Sequence, residues 1–228
     1  CSTTLNDTLM ADSKMRLLIL GATGSLGAHV LDQALSAGHQ VSVFVRDPSK
    51  LTAATRQQVV VHTGDLSKAL SNEVIRGHDA LINCAGNVAD GERFVSLIDR
   101  VIASVESLPA EEQPVCWFLA GLALLEIDAS RRRGIDLPKV KSTYWPHGAN
   151  FERLQRSSID WRLLCPGPMV EELSIGLQRL RISLDRLPVE LPAFATALPK
   201  PLVLPLFAAV IPQMIVPYAD AAALMLAN

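Results

Sequence analysis

The segment Gly21-Ala22-Thr23-Gly24-Ser25-Leu26-Gly27 sets three glycines at three-residue intervals, after the run Arg16–Leu20 and at the head of a helical pattern. Glycines so placed bring main-chain N–H groups to phosphate. The first permits a tight turn, the second lets backbone approach a pyrophosphate, and the third lets helix pack closely on strand. The helix start adds unpaired N–H groups and the positive end of its dipole. Thr23 and Ser25 supply hydroxyl donors. The expected ligand is a dinucleotide.

The next apolar run ends at Val45-Arg46-Asp47, where a fold of this type faces the adenosine ribose. A carboxylate there accepts from the 2′-hydroxyl and repels a 2′-phosphate, whereas a guanidinium forks onto phosphate oxygens. Arg46 therefore favours NADP(H) over NAD(H); Asp47, turned inward, would take the hydroxyl instead. Lys50 is either an aid to the phosphate or a solvated loop lysine. Asp65, in Gly64-Asp65-Leu66, either meets the adenine amino group or caps the next turn. Asn83-Cys84-Ala85-Gly86-Asn87 closes another apolar run with small residues that leave room for a cofactor to pass.

Few other groups form a constellation. His29, His39, His62 and His78 fall singly near helix and strand ends and read as surface or structural residues. Arg131-Arg132-Arg133 is either a solvated loop or an attractor for an anionic substrate. Glu171 and Glu172 are adjacent, so on a helix they point to different sides and are no acid pair. Cys1, Cys84, Cys116 and Cys165 contain no Cys-x-x-Cys, and three lie in apolar, strand-like runs where cysteine acts as a small buried hydrophobe. Neither metal nor disulfide is expected, and a reducing cytoplasm fits.

These residues need elements to position them. The spacing predicts strands at Arg16–Leu20, Gln40–Val45, Val59–His62, Ala80–Asn83, Val115–Leu119 and Asp160–Leu164. It predicts helices at Ser25–Ala37, about 93–108, around 150–156 and Tyr218–Leu226. That alternation implies a Rossmann-like α/β fold, a doubly wound parallel sheet with helices on both faces. With 228 residues, 49% apolar, the chain suits one such domain over residues 15–228, behind a flexible polar segment of residues 1–14 with no apolar signal core. For the chain's start, the alternatives are Met10, Met15, a missing upstream segment, or a processed lipoprotein beginning Cys1-Ser2-Thr3. Residues 171–217 read as an irregular, substrate-side region. Within it Leu198–Val216 is strongly apolar, but Pro199, Pro201, Pro205 and Pro212 oppose a spanning helix and predict loop and short segments. A net charge of −2, from 21 basic and 23 acidic residues, points to neither nucleic acid nor an acidic membrane as partner.

Gly-Ala-Thr-Gly-x-x-Gly, Val-Arg-Asp-Pro, Gly-Asp-Leu, Gly-x-Asp-Ala-Leu-Ile and Asn-x-Ala-Gly occur in that order. Together with the run Glu152–Trp161, Leu163–Pro168 and Tyr218-Ala219-Asp220-Ala221-Ala222, they resemble the atypical short-chain dehydrogenase/reductases, the NAD(P)H-binding group that includes biliverdin/flavin reductase-like and NmrA-like proteins. The resemblance covers residues 15 to about 170 well. It implies cofactor contacts at Gly21, Thr23, Gly24, Ser25, Leu26, Arg46, Asp65, Leu66, Ala85 and Gly86, with Gly27 and Asn87 beside them. It puts the loop from Pro166 to Met169 near the nicotinamide.

The family's usual catalytic set is a Tyr-x-x-x-Lys helix with a serine on the preceding strand. Here Tyr144 is followed four residues later by Gly148, and the strand end reads Phe118-Leu119-Ala120-Gly121. Lys141 and His147 are near but out of register. Tyr144 is therefore either a catalytic acid without its partners or an ordinary packing aromatic. The implied function is an NADPH-dependent reductase passing hydride to a small planar acceptor, flavin- or quinone-like, since such chemistry runs largely on cofactor position. A non-catalytic NADP(H) sensor reporting to a regulatory protein is the alternative that the lost positions favour. A sugar-nucleotide epimerase or dehydratase shares the glycine loop but needs the Tyr/Lys pair and a larger substrate domain.

Overall fold

Leu17, Leu18, Ile19 and Leu20 are fully buried, which requires packed layers on both sides of the strand that carries them. The computed structural model, which describes residues 14–227, shows those layers; the N-terminal segment with Cys1 and Met10 lies outside the described residues. Strands β1 (Arg16–Leu20), β2 (Gln40–Val45), β3 (Val60–Thr63), β4 (Ala80–Asn83), β5 (Val115–Leu119) and β6 (Trp161–Leu164) form one parallel sheet in the order β3-β2-β1-β4-β5-β6. The helices are α1 (Ser25–Ser36), α2 (Ala53–Gln58), α3 (Asn72–Ile75), α4 (Glu92–Glu106), α5 (Pro138–Gln155), α6 (Lys200–Val210) and α7 (Tyr218–Leu226).

Alternate side chains of β1 serve opposite faces. Leu17 and Ile19 join Val30 and Ala34 of α1 and Ala222 and Met225 of α7 in one core; Leu18 and Leu20 join Ile98 and Ile102 of α4 and Leu154 of α5 in the other. This is the Rossmann-like doubly wound architecture. Strand order reverses between β1 and β4, and a crevice opens there beyond the strands' carboxyl ends.

Two elements differ from the sequence expectation. Helix α5 runs over Pro138–Gln155 rather than starting near residue 150. Pro138 sits at a first-turn position where its missing N–H costs nothing. Pro146 lies inside the helix and removes the donor for the Ser142 carbonyl. The centre of Leu198–Val216 is also corrected: it is helix α6, not loop. Pro201 lies in its first turn, and Pro205 is on the exposed side while Val203 and Phe207 are buried.

Residues 171–217 otherwise have little regular structure, yet they have a core of their own, in which Ile127 and Leu137 meet Leu187, Ala195, Val203 and Phe207. Arg132 fastens it. Nearly buried, it pairs with Asp128 at 2.6 Å and donates to the carbonyls of Ala195 (2.8 Å) and Leu198 (3.0 Å). A second fastening is Asp220 in the first turn of α7. Its side chain, 1% exposed, accepts from Ser174 Oγ (2.6 Å), Ile175 N–H (2.8 Å) and Gly176 N–H (3.0 Å). A two-stranded ladder of β7 (Met169–Val170) and β8 (Val216–Pro217) returns the region to α7.

Candidate cofactor cleft

The glycine loop is held closed by contacts that admit no side chain. Gly21 has φ +78°, and a Cβ there would lie 2.7 Å from Ala85 N, against the end of β4. A Cβ at Gly27 would lie 2.1 Å from the Gly21 carbonyl oxygen, so α1 meets the turn backbone to backbone. Gly24 N–H donates to that same carbonyl at 3.0 Å. Gly24 itself faces open space, with only the Gly21 oxygen at 3.4 Å from an added Cβ. Among the described residues no side chain caps α1, and its first turn holds no acidic residue. Its leading N–H groups and dipole are thus left for an anion. This cradle fits a dinucleotide pyrophosphate.

A cleft of about 680 Å³ extends from the loop. Its walls bring together Gly21, Thr23, Gly24, Ser25, Leu26, Arg46, Asp65, Leu66, Ala85, Gly86 and Asn87, which come from the ends of four strands. Gly27 lies beneath this surface as a packing contact.

Beside Arg46, two carboxylates are engaged by their own turns. The Asp47 carboxylate is tied into its own turn, accepting from Ser49 N–H (2.9 Å) and Ser49 Oγ (2.6 Å). Those hydrogen bonds hold its pKa below the usual range. Asp65 likewise caps its turn, accepting from Ser67 N–H at 2.8 Å. That bond, helped by the nearby charges of Arg46 and Lys68, lowers its pKa. Arg46 is exposed and makes no ion pair among the described residues.

The far end is apolar and aromatic, with Phe94, Leu119, Ala120, Met169, Tyr218 and one histidine, His147. His147 is the residue that sequence reasoning passed over. It lies on α5, buried, with its ring edge-on to Phe94 at 5.6 Å and stacked on Tyr144 at 6.2 Å. Among the described residues its Nδ1 has no hydrogen-bond partner, and neither has Nδ2 of buried Asn150, one turn further on. Burial pushes its pKa down to about 4, so the imidazole is neutral near pH 7. Tyr144 is 39% exposed and does not line the cleft. The only signal available in the sequence was the i, i+3 spacing from Tyr144 to His147, which puts both on one helix face.

Pro166 lines a different cavity, on the other side of its loop, whereas Met169 of that loop reaches the cleft. His29 pairs with Glu171 at 2.9 Å and stacks on Tyr218 at 6.1 Å, and does not itself line the cleft. The thiols of Cys84, Cys116 and Cys165 are free, and burial pushes each pKa up to about 12. Among the described residues no group of His, Cys, Asp and Glu could hold a metal, and no helix is long and apolar enough to cross a membrane.

Residues 21–181 match the model of an NAD(P)H-binding family, over more than half of the chain. The chain belongs to this family of atypical short-chain dehydrogenase/reductases. It is 30% identical over 158 residues to the uncharacterised protein YwnB of Bacillus subtilis, covering 67% of this chain and 71% of that one. Among solved structures, a candidate NADH-flavin reductase from Streptococcus pneumoniae superposes with TM-score 0.68 at 19% identity, covering 93% and 91% of the two chains. ChuY, an anaerobilin reductase from Escherichia coli, superposes with TM-score 0.60 at 20% identity, covering 92% and 88%. At these identities the two structures share the family fold.

Proposed function

We propose that this protein is an NADPH-dependent reductase that passes hydride to a small planar acceptor, flavin- or quinone-like. The observation that carries the proposal is the cleft's polarity: Arg46, with no ion pair among the described residues, at one side, and apolar and aromatic residues with a neutral histidine at the other. In this reading the N–H groups at the start of α1 hold the pyrophosphate and Thr23 and Ser25 support it. Arg46 binds the 2′-phosphate, while Asp47 is turned toward Ser49, which occupies one of its carboxylate oxygens. The bound cofactor supplies the hydride. Phe94, Leu119 and Met169 keep water from the reacting face, which suits transfer to a flat acceptor. His147 offers its second ring nitrogen, Nε2, as an uncharged donor to the acceptor's heteroatom; the proton that completes reduction comes from solvent. Tyr144 stands behind His147 and orients its ring.

The reductase descriptions of the two structural neighbours agree with this class. The test is oxidation of NADPH, followed at its nicotinamide absorbance, against a panel of flavins, quinones, linear tetrapyrroles and carbonyl compounds. Turnover of a planar acceptor with NADPH preferred over NADH is expected; no turnover across the panel refutes it.

One observation favours a second reading. The positions of the usual tyrosine, lysine and serine hold a residue outside the cleft and two glycines, which suits an NADP(H) sensor that reports to a partner protein. Calorimetry separates the two. A sensor discriminates NADP from NADPH strongly without turnover, whereas a reductase need not.

A further inference from the structure

A second cavity, about 860 Å³, lies between the β5–β6 side of the sheet and residues 175–188. It falls within the range of small-molecule sites, roughly 300–1,000 Å³. The segment from Pro166 separates it from the cofactor cleft, since Pro166 and Gly167 line this cavity and Met169 lines the cleft. Its walls are apolar and aromatic, with Trp117, Trp161, Leu122 and Leu164 among them.

Its charges are uneven. Arg133, Arg162, Arg179 and Arg181 line it, against one acid, Asp185. Among the described residues only Arg162 of these four has a carboxylate in an ion pair, Asp160. The Arg133 guanidinium lies 4.8 Å over the Phe151 ring, a contact that leaves its forked N–H groups for an anion. Arg179 and Arg181, both exposed, have no carboxylate partner among the described residues. The basic run noted in the sequence thus divides. Arg132 is structural, bound to Asp128 and two carbonyls, and Arg133 faces this cavity.

We propose that this cavity is a ligand site, distinct from the cofactor cleft, for a monomeric amphiphilic anion: an unbranched acyl carboxylate. Its chain lies along the wall of Trp117 and Leu164, and its carboxylate meets Arg133, Arg179 and Arg181. Apolar lining accounts for the chain and unpaired guanidinium groups for the head. A neutral lipid would gain no charge attraction from the three arginines, and a cation would be repelled. The proposal goes beyond the reductase reading and does not depend on it.

Two of the three tryptophans, Trp117 and Trp161, line the cavity, so intrinsic fluorescence reports its occupancy. The experiment titrates the full chain with dodecanoate, dodecanol and dodecyltrimethylammonium, each below micelle formation. A saturable fluorescence change is expected with dodecanoate, at least tenfold weaker affinity with the alcohol, and none with the ammonium. The double variant Arg179→Glu, Arg181→Glu changes two exposed side chains. It should weaken dodecanoate at least tenfold and leave calorimetric NADP binding unchanged. Equal affinity for the three head groups overturns the proposal. So does full dodecanoate affinity in the double variant, or closure of the cavity by a second copy of the chain, seen as a dimer in sedimentation at the titration concentration.

Discussion

Replacing Asp220 by alanine removes the acceptor that holds residues 174–176 to α7. The magnitude follows from its contacts. The side chain is 1% exposed and accepts three hydrogen bonds. A hydrogen bond to a charged group is worth about 1.5–3 kcal/mol, and a buried donor left unpaired costs about 1–3 kcal/mol. The donors belong to Ser174, Ile175 and Gly176, of which the first two are exposed residues, so water partly replaces the lost acceptor. About 1 kcal/mol per bond is then appropriate, with up to about 1 kcal/mol more for a carboxylate at a helix start. The expected loss is about 3–4 kcal/mol. For a chain of this size that lowers Tm by roughly 6–15 °C. Thermal and urea unfolding followed by circular dichroism measure it. Ile175 also lines the second cavity, so dodecanoate should bind the variant weakly while NADP binds as before. A loss under about 1 kcal/mol, or an unchanged dodecanoate titration, would show that Asp220 does not fasten this wall.

Arg46→Ala should weaken NADP(H) by roughly ten- to a hundredfold, the value of one charge-assisted contact, and NAD(H) little; equal losses by calorimetry would mean the ribose pocket is elsewhere. Gly27→Ala forces its new methyl onto the Gly21 carbonyl at 2.1 Å. Dinucleotide binding should be lost with a measurable fall in Tm, and an intact titration would contradict the closed loop. His147 governs part of the acid response. Its pKa is lowered from 6.5 to about 4 by burial, so between those values the unfolded chain binds the proton and the folded one does not. Stability therefore falls as pH drops from about 6.5 to 4, by up to about 3 kcal/mol from this group. His147→Phe should flatten the fall, and urea midpoints across that range would expose an unchanged slope.

The sheet was legible because its strands carry uninterrupted apolar runs such as Leu17–Leu20, and the glycine loop because its spacing falls where strand becomes helix. Helix α5 was not. Pro146 and Gly148 are helix breakers by propensity, and what holds the helix is packing of Leu154 against α4 and of His147 against Phe94, which pairs residues about fifty positions apart. The same long-range packing decides the character of His147, since burial and not sequence neighbours sets its charge. Asp47 shows the opposite case. Its partner Ser49 is two residues away, yet composition alone did not tell whether the carboxylate would turn to its own turn or to the cleft. Residues 171–217 stayed unreadable because their core comes from scattered residues with no period.

Gly148 has a consequence for how such a site changes over generations. A Cβ there would lie 2.9 Å from Ile135 Cδ1, so position 148 faces the turn that covers α5, not the cleft. A lysine at 148 would have to displace Ile135. Position 121 is the reverse. A Cβ there makes ordinary contact with His147 Cδ2 and Nε2 at 3.6 Å, so a serine enters in one step, beside the imidazole. The lysine of a tyrosine–lysine pair is thus sterically opposed at 148, while the serine position at 121 is open. Substitution from this chain meets least steric resistance at position 121, where a new hydroxyl would sit beside the imidazole of His147.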